Sequence, residues 1–388
     1  MKITDIEDIA SAIVIFGTGN FGDYAFLYCQ RKFPEYHLAY CDSDSKRQKE
    51  TFHDQRILSP QAAAAQYPKA LYIVANAFHG DEMTAQLVDL GIEKNRIYRF
   101  RKADYYSILT WDELWEINRM YFRRRTGREL NKNSLEGFTD KMQYSKIYLS
   151  TELKSRLADK YLVREWVKER IGEEYLIPLL GAYNSFSEID FAQLPDSFVL
   201  KANHGCKMNY IVLDKKNLDM EDVEKTIESW LDYDFSYMCE NFELHYSTIK
   251  PCIIAEKYIE EFHKESFDYK FFCFNGVVKM IMIVRNIGRG DAARCFYDAD
   301  FNFIPCDLND GVHMPPIPFE KPECLEQMIR TAEKLSCGID QVRVDLYAVD
   351  SKIFFGEMTF TSWGGNVNME PREVDILLGS YWKMGDNS

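Results

Sequence analysis

Apolar residues in this chain fall into two kinds of run, near-continuous and alternating, and the two kinds occupy different stretches. Toward the N-terminus the runs are near-continuous: Ala12-Ile-Val-Ile-Phe16, His37-Leu-Ala-Tyr-Cys41 and Ala70-Leu-Tyr-Ile-Val-Ala75. Short unbroken apolar runs read as strands buried on both faces. Helix-like segments lie between them, from Asp23 to Lys32 and around Pro60 to Gln66. Strands alternating with helices predict a parallel α/β sheet over residues 1–100.

Residues 101–136 read as a helical connector. Thr110-Trp-Asp-Glu113 has the form of a capping box, and Arg123 to Arg125 followed by Gly127 mark a helix end. Residues 137–388 form the second unit, of α+β character. Leu162, Val163, Trp166 and Val167 recur at helical spacing. Strands follow at Ser197–Lys201, Tyr210–Leu213, Cys252–Ala255, Asp268–Gly276 and Lys279–Arg285. The last clear pattern runs from Arg343 to Thr361. Two alternating stretches flank the polar turn Ala-Val-Asp-Ser-Lys, which predicts an antiparallel hairpin with Asp345 near Glu357.

That hairpin carries the first candidate chemistry. Both acids interrupt apolar, strand-forming sequence and so point into a pocket. A buried pair of carboxylates repels unless a cation or proton lies between them. Hard oxygen donors of this kind suit Mg²⁺, which completes its shell with waters and substrate phosphates. The alternative is a surface hairpin with two solvated acids.

A second candidate lies at the other end of the chain. The first apolar run leads into Gly17-Thr-Gly-Asn-Phe-Gly22 and then into a helix. Gly17, Gly19 and Gly22 permit a tight turn and close approach of a phosphate to a helix N-terminus. Asp42 follows about twenty residues after the turn, where an acid can bond a sugar hydroxyl. The alternatives for this unit are domain packing or dimerisation, the latter giving a homo-oligomer.

Charge and cysteine usage narrow the class. The net charge is −14, which argues against a nucleic-acid partner held through phosphates. The ten cysteines form no Cys-x-x-Cys pair, which fits reduced thiols in a cytoplasmic protein. The acidic N-terminus lacks the basic start of a signal peptide, and no apolar run reaches transmembrane length.

Further cations occupy positions suited to anions. Lys201 ends a buried strand before the loop Ala202 to Asn209, where it can meet phosphate oxygens while loop N–H groups cover them. The alternative is a hairpin with a snorkelling lysine. Arg285, Arg289 and Arg294 surround Gly288 and Gly290 and can clamp a substrate carboxylate or phosphate; a solvated loop is the other reading.

Arg343-x-Asp345 followed by Gly356-Glu357 resembles the metal-binding hairpin of ATP-grasp enzymes, and Cys252-Ile-Ile-Ala-Glu-Lys-Tyr-Ile-Glu-Glu261 resembles their adenine-binding hinge. Lys160, Lys201, Glu256, Arg343, Asp345 and Glu357 occur in the family's order. More narrowly, Gly137 to Gly379 resembles the TupA-like ATP-grasp group of bacterial surface-polysaccharide synthesis. The segments that carry this are Lys160-Tyr-Leu-Val-Arg-Glu-Trp-Val167, Ile171-Gly-Glu-Glu-Tyr-Leu-Ile-Pro-Leu-Leu-Gly181, Phe198-Val-Leu-Lys-Ala-Asn-His-Gly205, Asp268-Tyr-Lys-Phe-Phe272 and Phe355-Gly-Glu-Met-Thr-Phe360. The N-terminal unit resembles Rossmann-like modules of bacterial sugar-modifying enzymes.

The resemblance implies an ATP-grasp fold after a small Rossmann-like domain, with ATP and Mg²⁺ as cofactors. It implies a ligase that makes an acyl phosphate and joins a small-molecule amine to a carboxylate, here a uronic acid or its nucleotide sugar. Lys160 and Lys201 would hold the ATP phosphates. Glu256 with the backbone of Lys257, Tyr258 and Ile259 would hold adenine. His263, Glu261 or Glu260 would meet the ribose. Asp345 and Glu357 would bind Mg²⁺, with Thr359 where the family usually has asparagine. Arg343 would stabilise the transition state, assisted by Lys270, and Arg285 and Arg289 would contact substrate. Two other readings stay open: an amino-acid ligase extending a peptide, and a non-catalytic nucleotide-binding scaffold.

Overall fold

A computed structural model describes residues 12–260, 267–286, 291–349 and 351–384. The chain divides into two compact units between Thr110 and Trp111. The expected connector over residues 101–136 is therefore split, its first helix belonging to one unit and its second to the other.

In the first unit the elements are β1 (Ala12–Phe16), α1 (Asn20–Lys32), β2 (His37–Cys41), β3 (Thr51–Phe52), β4 (Gln55–Leu58), α2 (Pro60–Gln66), β5 (Leu71–Val74), α3 (Gly80–Asp89), β6 (Ile97–Arg99) and α4 (Lys102–Tyr106). The sheet order is β3-β4-β2-β1-β5-β6, parallel except for the β3–β4 pair. Val14, Phe16, Tyr72 and Val74 pack on one face; Ile13, Ile15, Tyr40 and Ile73 pack on the other. Burial on both faces is why the apolar runs are continuous rather than alternating. The β3–β4 hairpin was not anticipated. It turns at His53 and Asp54, both with positive φ (47° and 61°), a geometry usually signalled by glycine. Helix α1 starts at Asn20, three residues earlier than its apolar pattern suggests, so Gly22 lies inside its first turn.

The second unit opens with α5 (Trp111–Thr126), α6 (Phe138–Tyr148), α7 (Glu152–Ala158) and α8 (Val163–Arg170). Then come β7 (Leu179–Tyr183), β8 (Phe198–Ala202), β9 (Asn209–Val212), α9 (Met220–Leu231) and β10 (Ile253–Lys257). These strands form a four-stranded antiparallel sheet in the order β7-β10-β8-β9. The remaining elements are β11 (Phe267–Phe274), β12 (Val277–Arg285), β13 (Ala293–Tyr297), β14 (Phe303–Ile304), α10 (Leu325–Ser336), β15 (Gln341–Val349), β16 (Lys352–Thr359) and α11 (Arg372–Tyr381). Their strands make a six-stranded antiparallel sheet, β14-β13-β12-β11-β15-β16. This is the two-sheet plan of an ATP-grasp unit.

Both faces of the six-stranded sheet are packed. Phe271, Cys273, Ile281, Val342, Val344 and Leu346 meet α10 and α8 on one side. Phe272, Phe274, Met280 and Met282 meet Phe138, Met142, Leu378 and Trp382 of the α6–α11 layer on the other. No helix among the described residues is long and apolar enough to cross a membrane.

Helices α6 and α11 pack so closely that an added Cβ on Gly379 would lie 2.0 Å from the carbonyl oxygen of Glu136. Gly379→Ala is expected to destabilise the second unit by about 1–3 kcal/mol, the range for overpacking. A lowered urea midpoint with an unchanged denaturant slope is the measurement that checks it.

Candidate functional site

The α6–α11 face of the six-stranded sheet is apolar over its middle strands and turns ionic toward β15 and β16. Asp268 and Lys270 of β11, Arg343 and Asp345 of β15, and Glu357 and Thr359 of β16 occupy alternating positions there. Asp345 pairs directly with Glu357 across the two strands, and Arg343 with Thr359. Gly356 makes this possible. The register slips by one residue beside it, so Leu346 pairs with Phe355. The slip lets Ile353 and Phe355 enter the α10-side core while Glu357 and Thr359 face the opposite way. Glycine is needed because a Cβ would lie 2.8 Å from the Tyr347 ring and 3.1 Å from the Asp345 carbonyl oxygen.

Charges on this face are matched at close range. The Arg343 Nε donates to Asp345 Oδ1 at 2.6 Å and its Nη2 to Oδ2 at 2.8 Å. Lys270 Nζ donates to the same Oδ2 at 2.6 Å and lies 3.5 Å from Asp268. Arg343 also reaches Glu357 Oε1 at 3.2 Å, Thr359 Oγ1 at 3.0 Å and Ser362 Oγ at 3.1 Å. The Asp345 side chain is 3 % exposed and that of Glu357 37 %, so Glu357 is the acid a ligand reaches first. Burial raises the Glu357 pKa, but Lys160, Arg343 and Lys270 outweigh it and hold the carboxyl at about 2. Asp268, by contrast, is pushed up by its burial despite Lys270.

Across from this face lie the groups of the smaller sheet. A cavity of about 100 Å³ is lined by Lys160, Arg164, Lys201 and Glu256 together with Tyr347, Phe355, Gly356 and Glu357. Lys160 Nζ donates to the Gly205 carbonyl of the β8–β9 loop. The Glu256 carboxylate is gripped by Lys201 Nζ at 2.7 Å and by Arg164 Nη1 at 3.0 Å. Its carboxylate therefore holds two cations in place rather than standing free for a base. The Lys257 amide is also engaged, donating to the Pro178 carbonyl at 3.0 Å. Of its backbone groups that leaves the carbonyl to serve an adenine edge, with Tyr258 and Ile259 beyond the strand end. The β7–β10 pairing irregularity beside Glu256 is what sends this amide to Pro178.

Behind Arg343 sits a buried polar network. Ser362, which accepts from Arg343, belongs to a turn in which Trp363, Gly364 and Gly365 all have positive φ. Lys146 of α6 donates to the Gly364 carbonyl at 3.0 Å and to Asn241 at 3.1 Å. Glu243 accepts from Asn241 and Thr361. Burial drives the Lys146 pKa down and the Glu243 pKa up, each opposed by the other's charge. Beside them His245 is buried between Tyr246 and Phe360, and burial with help from Lys154 lowers its pKa to about 3.

Several expected residues fall elsewhere. Arg285 was expected to clamp substrate, but its strand register places it on the opposite sheet face from Lys270, its guanidinium 5.6 Å from the Phe319 ring. Arg294 is committed to Asp310 through two bonds of 3.1 and 2.7 Å. His263, Glu261 and Arg289 lie outside the described residues. In the first unit, Asp42 Oδ2 accepts from the Thr18 amide at 2.9 Å and its hydroxyl at 2.8 Å, while Oδ1 accepts from the Asp44 amide at 3.0 Å. It ties together the ends of β1 and β2. Gly17 and Gly22 are required by packing, since added Cβ atoms would lie 2.7 Å from the Ala75 oxygen and 2.3 Å from the Gly17 oxygen; a Cβ at Gly19 would meet open space. Arg164 and Asp268 were missed as site residues. Arg164 lies one helical turn after Lys160, and Asp268 two strand positions before Lys270; spacing alone was the available signal.

Glu357, Asp345 and Thr359 supply two carboxylates and a hydroxyl. No cluster of three or more acidic, histidine or cysteine ligands occurs among the described residues. Two carboxylates nevertheless fit Mg²⁺, which takes its remaining oxygens from water and phosphates. The fit is conditional, because Arg343 and Lys270 already hold both oxygens of Asp345.

The family model described as TupA-like ATP-grasp matches residues 140–383. No curated protein matches the sequence. Among solved structures, the D-alanine–D-alanine ligase from Bacillus anthracis is 13 % identical, with 90 % of this chain and 87 % of that one covered and a TM-score of 0.33. The ATP-grasp ligase PsnB complexed with minimal precursor is 11 % identical, with 97 % and 100 % covered and a TM-score of 0.31. Phosphoribosylglycinamide synthetase from Anaerococcus prevotii is 13 % identical, with 90 % and 67 % covered and a TM-score of 0.30.

Two outcomes are expected from this geometry. Arg343→Met leaves buried Asp345 short of its main partner and should cost about 3–5 kcal/mol in urea unfolding; the pair Arg343→Met with Asp345→Leu should recover much of that loss. His245 takes up its proton near pH 6.5 when unfolded and only near pH 3 when folded. The unfolded state thus binds more protons in that window, and stability falls as pH drops through it. His245→Gln should show a shallower decline between pH 6.5 and 3 in pH-dependent thermal melts.

Proposed function

We propose, for a chain that belongs to the TupA-like ATP-grasp family and thus to ligases that form ADP and phosphate, that it joins an amine to the carboxylate of a uronic acid, free or as its UDP sugar. The amine is an amino alcohol, its phosphate or an amino acid, and the setting is assembly of a bacterial surface polysaccharide. The observation that carries the ligase chemistry is the cavity that Lys160 of the α7–α8 turn and Lys201 of the smaller sheet line together with Glu357 of the larger one.

The reaction has two steps. A carboxylate oxygen attacks the γ-phosphorus of ATP, the bond to the β–γ bridging oxygen breaks, and ADP leaves with that electron pair. The amine then attacks the acyl carbon, phosphate departs, and the nitrogen gives up a proton. Neither step needs a protein nucleophile. Alignment and charge stabilisation are what the site must supply.

Lys160 and Lys201 would hold the phosphates, with Glu256 fixing the Lys201 ammonium through its 2.7 Å bond. Tyr258 and Ile259 would offer backbone groups to the base. Asp345, Glu357 and Thr359 would hold Mg²⁺, which when bound neutralises charge between the β- and γ-phosphates. Arg343, steadied by Ser362 and Asp345, would meet the charge that develops on the transferred phosphoryl group.

The test is ADP release by the purified chain with Mg²⁺-ATP, across uronates and amines added singly and in pairs. Expected is release that requires one particular pair, with isotope-labelled amine recovered in an amide. Glu357→Gln should lower that rate about 100-fold or more. Labelled amine that never enters any uronate, free or nucleotide-linked, would sink the substrate assignment. ATP binding without turnover by any pair would point to a nucleotide-binding scaffold.

A further inference from the structure

The second unit contains a larger cavity, of about 990 Å³, with no lining residue in common with the cavity between the sheets. A volume of this size suits a small organic ligand. Its walls come from α7, the segment after Asp159, the end of β7 and the stretch from Leu244 to Cys252.

Its chemistry is specific in three respects. First, Arg156 and Lys250 both line it, and neither makes a side-chain ion pair or hydrogen bond among the described residues. Two carboxylates share the lining, but Asp159 is taken up by the Tyr161 and Leu162 amides and by Asn203, so two cations stand against the single acid Glu152 and the balance favours an anion. Second, the rings of Trp111, Tyr161 and Tyr183 line the same space, with Trp111 58 % and Tyr161 40 % exposed. Half-exposed aromatic faces with polar tips suit a ligand that has both an apolar face and polar edges. Third, the Ser150 and Ser247 hydroxyls, which donate to the Lys146 and Leu244 carbonyls, can still accept from a ring hydroxyl, and the Thr151 hydroxyl and the Asn184 side-chain carbonyl can join them.

The floor connects to the phosphate side. Asn203 Nδ2 donates to Asp159 at 3.0 Å and to the Lys250 carbonyl at 3.0 Å, while its own carbonyl accepts from the Lys160 amide at 3.0 Å. Asp159 in turn accepts from the amides of Tyr161 and Leu162. A ligand resting on this floor touches the residues that fix the backbone of Lys160.

We infer that this cavity is a second ligand site, for a sugar that carries a carboxylate or a phosphate. Arg156 and Lys250 bind the anionic group, the aromatic faces stack on the ring, and the hydroxyls and amide meet its edges. The site is distinct from the nucleotide cavity and stands whether or not the ligase reading holds.

Isothermal titration of the full chain with D-glucuronate, glucose 1-phosphate and D-glucose tests it. Saturable binding of glucuronate identifies a carboxylate sugar, and binding of glucose 1-phosphate a phosphorylated one; neutral glucose should bind at least about tenfold more weakly than the better anion. Arg156→Ala and Lys250→Ala should each weaken the anionic sugar about tenfold while ATP affinity, measured on the same samples, stays as it is. Retained ATP affinity also shows that the variants are folded. Absence of saturable heat with both anionic sugars, or affinity unchanged in the double variant, overturns the proposal.

Discussion

The second unit is organised around one buried carboxylate. Asp345 sits on a central strand with almost no exposure, and an isolated charge in that position would be prohibitive. Arg343, two residues before it on the same strand, and Lys270 of β11 remove the cost by donating to both its oxygens. Lys270 thus ties β11 to β15, and Arg343, on the same strand as Asp345, extends the link to Glu357 and Thr359 of β16. Arg343 carries the order further, through Ser362 into the turn that Lys146 and Glu243 fix from behind. Loss of the central acid or its guanidinium would release a sheet edge, a turn and a helix contact together.

This arrangement also says how a phosphate-bearing ligand must enter. Glu357 is the accessible acid, held ionised by three cations, whereas Asp345 is shielded by two of them. Anionic oxygens arriving near Lys270 and Arg343 would compete with Asp345 for the same donors. A Mg²⁺ reaching Asp345 would depend on that exchange, which would couple its entry to that of phosphate. Glu256 plays the matching part on the smaller sheet, where it holds Lys201 and Arg164 in position.

Much of this was legible in the sequence, for identifiable reasons. The Asp345–Glu357 pairing followed from alternation within a short hairpin, where register is set locally. Lys201 was found because it ends a buried strand before a loop, and Lys160 because the segment around it carries the family resemblance. Arg285 was misjudged because the face of a residue on a long strand depends on its partners, and an apolar run such as Met280 to Val284 gives no parity signal when both faces are buried. The one-residue slip at Gly356 was equally invisible: the glycine could be read as motif but not as the point where the strand changes face. Glu256 was recognised as important, yet its carboxylate partners came from a helix 92 residues away and a strand 55 residues away. Burial of Lys146 and Glu243 could not be read at all, since a charged residue in a polar stretch ordinarily remains in water. The hairpin at His53 and Asp54 lacked the glycine that usually announces such a turn.

The close matching of charge in the site has a kinetic side. Asp268, Asp345 and Glu357 oppose Lys160, Lys270 and Arg343, so the mouth presents little net positive field. The whole chain carries −14. At physiological ionic strength charges more than the Debye length of about 8 Å apart are largely screened, so an approaching nucleotide feels the site mainly once it can exchange partners at close range. Little long-range steering is then supplied by the site, and discrimination among anions rests on geometry at the cations.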